Sequence, residues 1–307
     1  MKQLLLCLVL LVPPLSAAPQ RLELKPQQQA LQFTYRFEFA RQAQQLSFSL
    51  DNASLNNHFR QFRALTPALL QQYLWRDLRA HVAQYPGARL MRLPGKSSLR
   101  YKLHATDSQL LQQLDTELKQ LQQERMAHYL QQEYYYQLTL PWGEQVIIPD
   151  HARLMQDSLP DLLPVATALH QKLANTASRV SLDYISQWIQ QIPYQDLSDR
   201  QQSAGASYSP PLKLLQENRG DCDSKTVLLA AMLRMLLPDV KLAIIYLPQH
   251  ALLAVQLPAS ADDMTVSIDG KDYLLVDPIG PALLPAGQIA AQFQLYTRNN
   301  QFGYRLL

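Results

Sequence analysis

The clearest periodic signal lies near the start of the chain, where residues 31–39 (LQFTYRFEF) alternate strictly. Leu31, Phe33, Tyr35, Phe37 and Phe39 fall on one face, and Gln32, Thr34, Arg36 and Glu38 on the other, which is the period of a strand with one buried face. Residues 46–50 (LSFSL) continue the pattern and are expected to pair with that strand. Thr66 before Pro67 marks a helix start with proline at the first helical position, and that helix runs to about residue 79. LRYKLHA around Tyr101 reads as a strand. Asp107 opens a long helix to about Gln131, with Leu110, Leu111, Leu114, Leu118 and Leu121 as its apolar stripe. YYYQLTL (134–140) is a strand, turned at Pro141-Trp142-Gly143 and followed by QVII.

From about residue 151 the character changes. Residues 164–173 and 181–191 read as helices, the second ending before Pro193. A polar, Ser-containing loop over 196–211 closes on two prolines and leads to NRGDCDSKTVLLAAMLRMLLP. Residues 227–237 are almost uniformly apolar, so this helix is expected to be buried on most sides until Pro238 ends it. LAIIYL, ALLAVQL and YLLVDP follow as three apolar runs of strand length. The pattern therefore predicts an α+β fold. Residues 25–150 form a smaller N-terminal α+β module whose role is not legible, and residues 151–307 form a second domain. There is no internal repeat.

The first residues bear on the compartment. Lys2 supplies a positive start, residues 4–12 (LLLCLVLLV) a short apolar core, and Ser16-Ala17-Ala18 the small residues of a cleavage site. The apolar run is well short of the roughly 20 residues that span a bilayer, so residues 1–18 read as a removed signal peptide, with no transmembrane anchor. The expected location is periplasmic or secreted. Cys7 lies inside the apolar core, so it is not a lipid-anchoring cysteine.

Composition narrows the partners. The formal net charge is +3 and charged residues make up 17% of the chain, with no basic run interleaved with aromatics. That excludes nucleic acid as the expected partner. The Gln-rich stretches alternate with apolar residues at helical spacing and read as neutral, solvated helix faces. His58, His81, His104 and His128 are not at metal-ligand spacing, and His151 and His170 are equally unplaced; all six read as surface or partly buried polar residues.

Of the two cysteines, cleavage removes Cys7 and leaves Cys222 as a lone thiol in an oxidising compartment. Such a thiol is either a buried, inert side chain or a nucleophile. Gly220 and Asp221 sit where a loop turns into the apolar helix, which puts Cys222 in the first turn. There the unpaired N–H groups and the helix dipole are expected to stabilise a thiolate and lower its pKa. A thiol nucleophile needs an imidazole to carry protons and a carboxylate or amide to hold that imidazole. His250 is the only histidine after Cys222 and stands at the mouth of a strand, and Asp277 ends YLLVD just before Pro278. Asp221 reads as a helix cap, Asp223 as a favourable charge in the first turn, and Lys225 as a solvated charge. One Cys and one His without clustered ligands make a poor zinc site, so neither metal nor cofactor is expected.

These segments resemble the transglutaminase-like superfamily. GDCDSKTVLLAAMLR resembles its Gly-x-Cys turn into a buried helix, QHALLAV its histidine strand, YLLVDP its aspartate strand, and WIQQIPYQ the helix and Ile-Pro-Tyr segment before the cysteine. The likeness covers about residues 160–280. It implies a papain-like core, with the Cys-bearing helix against an antiparallel sheet, and makes residues 151–307 the catalytic domain. It also implies a Cys222, His250, Asp277 triad and acyl transfer from a protein or peptide amide through a thioester. Trp188, Gln191, Tyr194 and Gln195 are the candidates for a second oxyanion donor. The expected activity is hydrolytic, a cysteine peptidase or amidase. The alternatives are an amine-accepting crosslinker, or a cell-envelope binding or assembly module that has lost turnover. Oligomeric state is not legible.

Overall fold

The alternation over residues 31–39 becomes a ten-residue strand because each second side chain finds an apolar partner. In the computed structural model, which describes residues 20–57, 62, 64–95, 98–197 and 208–307, β1 (Arg21–Pro26), β2 (Ala30–Phe39) and β3 (Gln42–Asp51) form an antiparallel sheet. Phe33 opposes Phe48 and Tyr35 opposes Leu46, all on the buried face. The signal-like residues 1–18, His58 and most of the 196–211 loop lie outside the described residues.

The middle of the chain supplies α1 (Asn52–Asn57), α2 (Pro67–Val82), the hairpin β4–β5 (Ala88–Leu93, Arg100–Ala105), α3 (Ser108–Gln132) and the hairpin β6–β7 (Tyr135–Thr139, Gln145–Pro149). Asp107 caps α3 by accepting from the Leu110 N–H at 2.8 Å. The Leu stripe is only half used: Leu114 and Leu118 are fully buried, whereas Leu111 is exposed.

The helix expected over 164–173 begins thirteen residues earlier, as α4 (His151–Leu173). Pro160 and Pro164 lie inside it without ending it. Both are exposed, as is Gln156, whose carbonyl Pro160 leaves without a helical donor, so water can serve that group. α5 (Ser178–Gln190), α6 (Pro211–Glu217) and α7 (Cys222–Leu236) follow. Their buried faces share one hydrophobic core with β2 and β3, in which Tyr35 meets Trp188 edge to face.

Around α7 curls a five-stranded antiparallel sheet, in the order β10 (Thr265–Ile268), β11 (Lys271–Val276), β9 (His250–Val255), β8 (Leu242–Leu247), β12 (Gly303–Leu306). The helix α8 (Ala291–Arg298) lies against it. β8 and β9 are buried along their whole length, which is why both read as unbroken apolar runs. The chain is thus α+β with antiparallel sheets, and among the described residues no helix is long and apolar enough to cross a membrane.

Candidate active site

Cys222 is the first residue of α7, as the loop-to-helix reading expects. Asp221 precedes it as cap, its Oδ1 accepting from the Ser224 N–H at 3.0 Å and from the Ser224 hydroxyl at 2.5 Å. Gly220 fits tightly before the cap. A Cβ there would come within 2.7 Å of the Leu214 side chain. The loop is pinned to the segment after α5, since the Gln195 N–H donates to Gly220 O and the Gly220 N–H to Pro193 O.

His250 opens β9 directly after the two-residue turn Pro248-Gln249, in which Gln249 adopts the left-handed φ of 58°. The next residue docks strand to helix. The Thr226 hydroxyl donates to Ala251 O at 3.3 Å, and the Ala251 N–H points at the Cys222 sulfur. Asp277 follows β11, which pairs with β9 through Val276 opposite Leu253. The His250 ring and the Asp277 carboxylate meet at 3.3 Å from Nε2 to each oxygen, both side chains 2% exposed. Phe293 stacks on the ring at 3.9 Å between centroids. Nε2 engages the carboxylate, so Nδ1 is the nitrogen left for other chemistry.

Two buried side chains fix this aspartate, and both escaped the sequence reading. Gln190 donates to Asp277 O at 2.7 Å and to Leu284 O at 2.9 Å. Gly280 packs so closely on Gln190 O, at a φ of 67°, that a Cβ would sit 1.9 Å from it. Lys225, expected as a solvated charge, is fully buried instead. One turn along α7, its Nζ donates to Ile192 O at 2.5 Å and Ile279 O at 2.6 Å. It thereby clamps the segment before Tyr194 and the segment after Asp277 onto the cysteine helix. Burial draws its pKa down to about 7, against the pull of Asp277 and Asp221. Lys225→Met keeps the length but strips both carbonyls of their donor, at about 1–3 kcal/mol for each acceptor left buried. The variant is expected to unfold a few degrees lower, read by thermal melting against the wild-type chain.

The electrostatics of the thiol run against the sequence expectation. The helix start by itself predicts a lowered Cys222 pKa. Burial instead pushes it far up, helped by the charges of Asp223 and Asp221 and by the thiol's hydrogen bond to Asp223 Oδ1 at 3.3 Å. The Ala251 N–H, which pulls the other way, does not outweigh burial and the two adjacent carboxylates. Burial and Asp221 raise Asp223 itself to about 7, and burial raises Asp221 to about 6.

His151 corrects the surface reading. It is 1% exposed, with Nδ1 2.9 Å from the Tyr246 hydroxyl and Nε2 3.5 Å from Asp223 Oδ2. Burial draws its pKa down to about 3, so the ring is neutral. The Tyr136 hydroxyl donates to that of Tyr246 at 3.4 Å, so a chain of polar groups runs from the β6–β7 hairpin to the carboxylate holding the thiol. Nothing in the spacing of His151 from Cys222 could have signalled this; only the packing of α4 on α7 creates it. His81 pairs with Glu117 at 2.8 Å, and His104, His128 and His170 are exposed.

Cys222, Asp223, His250 and Tyr194 line one cavity of about 870 Å³. Of the four oxyanion candidates, Tyr194 alone lines it. It is half exposed, its hydroxyl raised to about 12 by burial and by the negative groups around Cys222. Trp188 is buried in the main core against Tyr35. The Gln191 amide bonds both the N–H and the carbonyl of Glu38 in β2. The side-chain oxygen of Gln195 is buried, and its backbone is committed to Gly220. Among the described residues, no group of three or more His, Cys, Asp or Glu side chains has the arrangement to hold a metal ion. Compared with known proteins, the chain matches no protein-family model and no curated sequence.

Proposed function

We propose that the protein is an exported, thiol-dependent acyl-transfer enzyme with a papain-like, transglutaminase-like core, acting on a protein or peptide amide. The observation that carries the reading is the buried His250–Asp277 pair, whose His250 lines the same cavity as a cysteine at a helix start. Export rests on the signal-like pattern of residues 1–18, and the domain division at residues 25–150 and 151–307 stands with it as part of the proposal.

On this reading the role of each group follows from its chemistry. Asp277 orients the imidazole through Nε2, and Nδ1 takes the proton of the Cys222 thiol. The sulfur attacks the amide carbonyl carbon, forming a C–S bond and an oxyanion. The backbone N–H at the first helical position, which has no intrahelical acceptor, and the Tyr194 hydroxyl are the donors placed near the sulfur. Collapse breaks the C–N bond, and the amine leaves with the proton held by His250. Water then attacks the thioester, His250 again taking the proton, and the acid leaves as the thiol re-forms.

Hydrolysis is the proposed outcome because water as acceptor needs no second channel to desolvate an amine. With a protein substrate and excess labelled primary amine, the expected products are cleaved or deamidated chains with little amine incorporated. Efficient incorporation that vanishes in Cys222→Ala would make the enzyme a crosslinker. The observation favouring a second reading, an envelope-binding module without turnover, is the raised thiol held by Asp223. That reading predicts no product of either kind.

A further inference from the structure

The cavity beside Cys222 has a second wall that comes from a distant part of the chain. In the β6–β7 hairpin, Leu138 opposes Val146 and Tyr136 opposes Ile148, so these side chains share one face. That face is turned to the site: Leu138, Leu140, Val146 and Ile148 line the cavity, with Trp142 and Glu144 at the hairpin tip. The hairpin is docked there. Tyr136 reaches Tyr246, and Leu140 and Leu138 lie so close over Gly303 of β12 that a Cβ would come within 3.0 Å of the Leu140 side chain. An apolar wall thus lines the cavity that also holds the thiol, and its residues are only partly buried, leaving apolar surface for a ligand to cover.

The charge of the cleft is one-sided. Glu144, Asp196, Asp221 and Asp223 line it, and no lysine or arginine among the described residues does. The chain as a whole carries a net +3, so this negative bias is local. Burial is the main reason Asp221 and Asp223 are raised, and each is raised further by a neighbouring carboxylate.

We propose that the cleft binds an extended polypeptide segment that lays an apolar side chain on the β6–β7 hairpin and directs a lysine or arginine side chain to its carboxylates. This rests on the reading of Cys222 as the nucleophile and adds the substrate class to it. A like charge brought to such a cleft is strongly disfavoured, so acidic segments are rejected as much as basic ones are selected.

The test uses the full-length mature protein and a set of capped dipeptide vinyl sulfones, Leu-Lys, Leu-Gln, Leu-Glu and Gly-Lys, with labelling of Cys222 followed by intact mass. Leu-Lys is expected to label about tenfold faster than Leu-Glu, and clearly faster than Gly-Lys. Glu144→Gln, which keeps the acceptor for the Trp142 N–H, narrows the Leu-Lys to Leu-Glu ratio, and Val146→Ser narrows the Leu-Lys to Gly-Lys ratio. Circular dichroism confirms that each variant is folded. Labelling that depends on His250 but is equal across the four probes, or fastest with Leu-Glu, overturns the substrate class and leaves the nucleophile standing. Failure of every probe to label the folded protein overturns both.

Discussion

If Cys222 is the proposed nucleophile, replacing it by alanine is expected to abolish amide turnover, and replacing His250 by alanine to lower it by about a thousandfold or more while the protein stays folded. The size follows from the division of labour. Without an imidazole there is no group to take the thiol proton or to protonate the leaving amine, and the thiol is already held in its neutral form by burial and two carboxylates. Asp277→Asn is expected to cost less, because the side chain keeps an oxygen toward Nε2 and the backbone carbonyl of residue 277 still takes the Gln190 amide. The measurement is turnover of one amide substrate by the three variants, with far-ultraviolet dichroism as the control for folding. Equal turnover in wild type and His250→Ala would remove the imidazole from the mechanism.

Asp223→Asn is expected to accelerate alkylation of Cys222 by a small electrophile about tenfold or more at pH 8. One pKa unit is a factor of ten in thiolate, and the substitution removes both the adjacent charge and the carboxylate that accepts the thiol proton. The same substitution changes how stability depends on pH. The carboxyl of Asp223 is raised to about 7 in the folded chain, against about 3.9 in an unfolded one. The folded state therefore binds more protons between roughly pH 4 and 7, and stability is lost as pH rises through that window. Asp221, raised to about 6, acts in the same direction. The amide introduced by Asp223→Asn does not titrate, so the melting temperature of the variant should gain on wild type from pH 5 to pH 8. A parallel shift at both values would mean that Asp223 is not held as described, and unchanged alkylation would free the thiol from it.

The sequence was most readable where one residue's neighbours decide its environment. The alternation over 31–39 and 46–50 survives as paired strands because every second side chain has a partner in the core. Cys222 lands at its helix start because Gly220 and Asp221 define the turn locally. What stayed hidden depends on contacts between distant segments. The charge on Lys225 reads as solvent-facing until α7 is seen wrapped by sheet and helices, with two carbonyls turned inward to meet it. His151 lies 71 positions before Cys222 yet reaches the carboxylate beside it, through the packing of α4. The thiol misled for the same reason: a helix start is visible in one dimension, but its burial is not, and here burial is the stronger effect. Trp188 and Gln191 sit in the segment that resembles an oxyanion donor, but their side chains are taken up by β2 and the core.

The central claim is that Cys222 is a nucleophile served by His250. It is tested most directly by mass analysis for an acyl group, using an activated ester of a short peptide mixed with the protein and quenched in acid within seconds. The account predicts one acyl group on Cys222 in the wild-type chain, turning over with time, none in Cys222→Ala, and slowed formation in His250→Ala. An acyl group on another residue, or none on Cys222 in the folded wild-type protein, would contradict it.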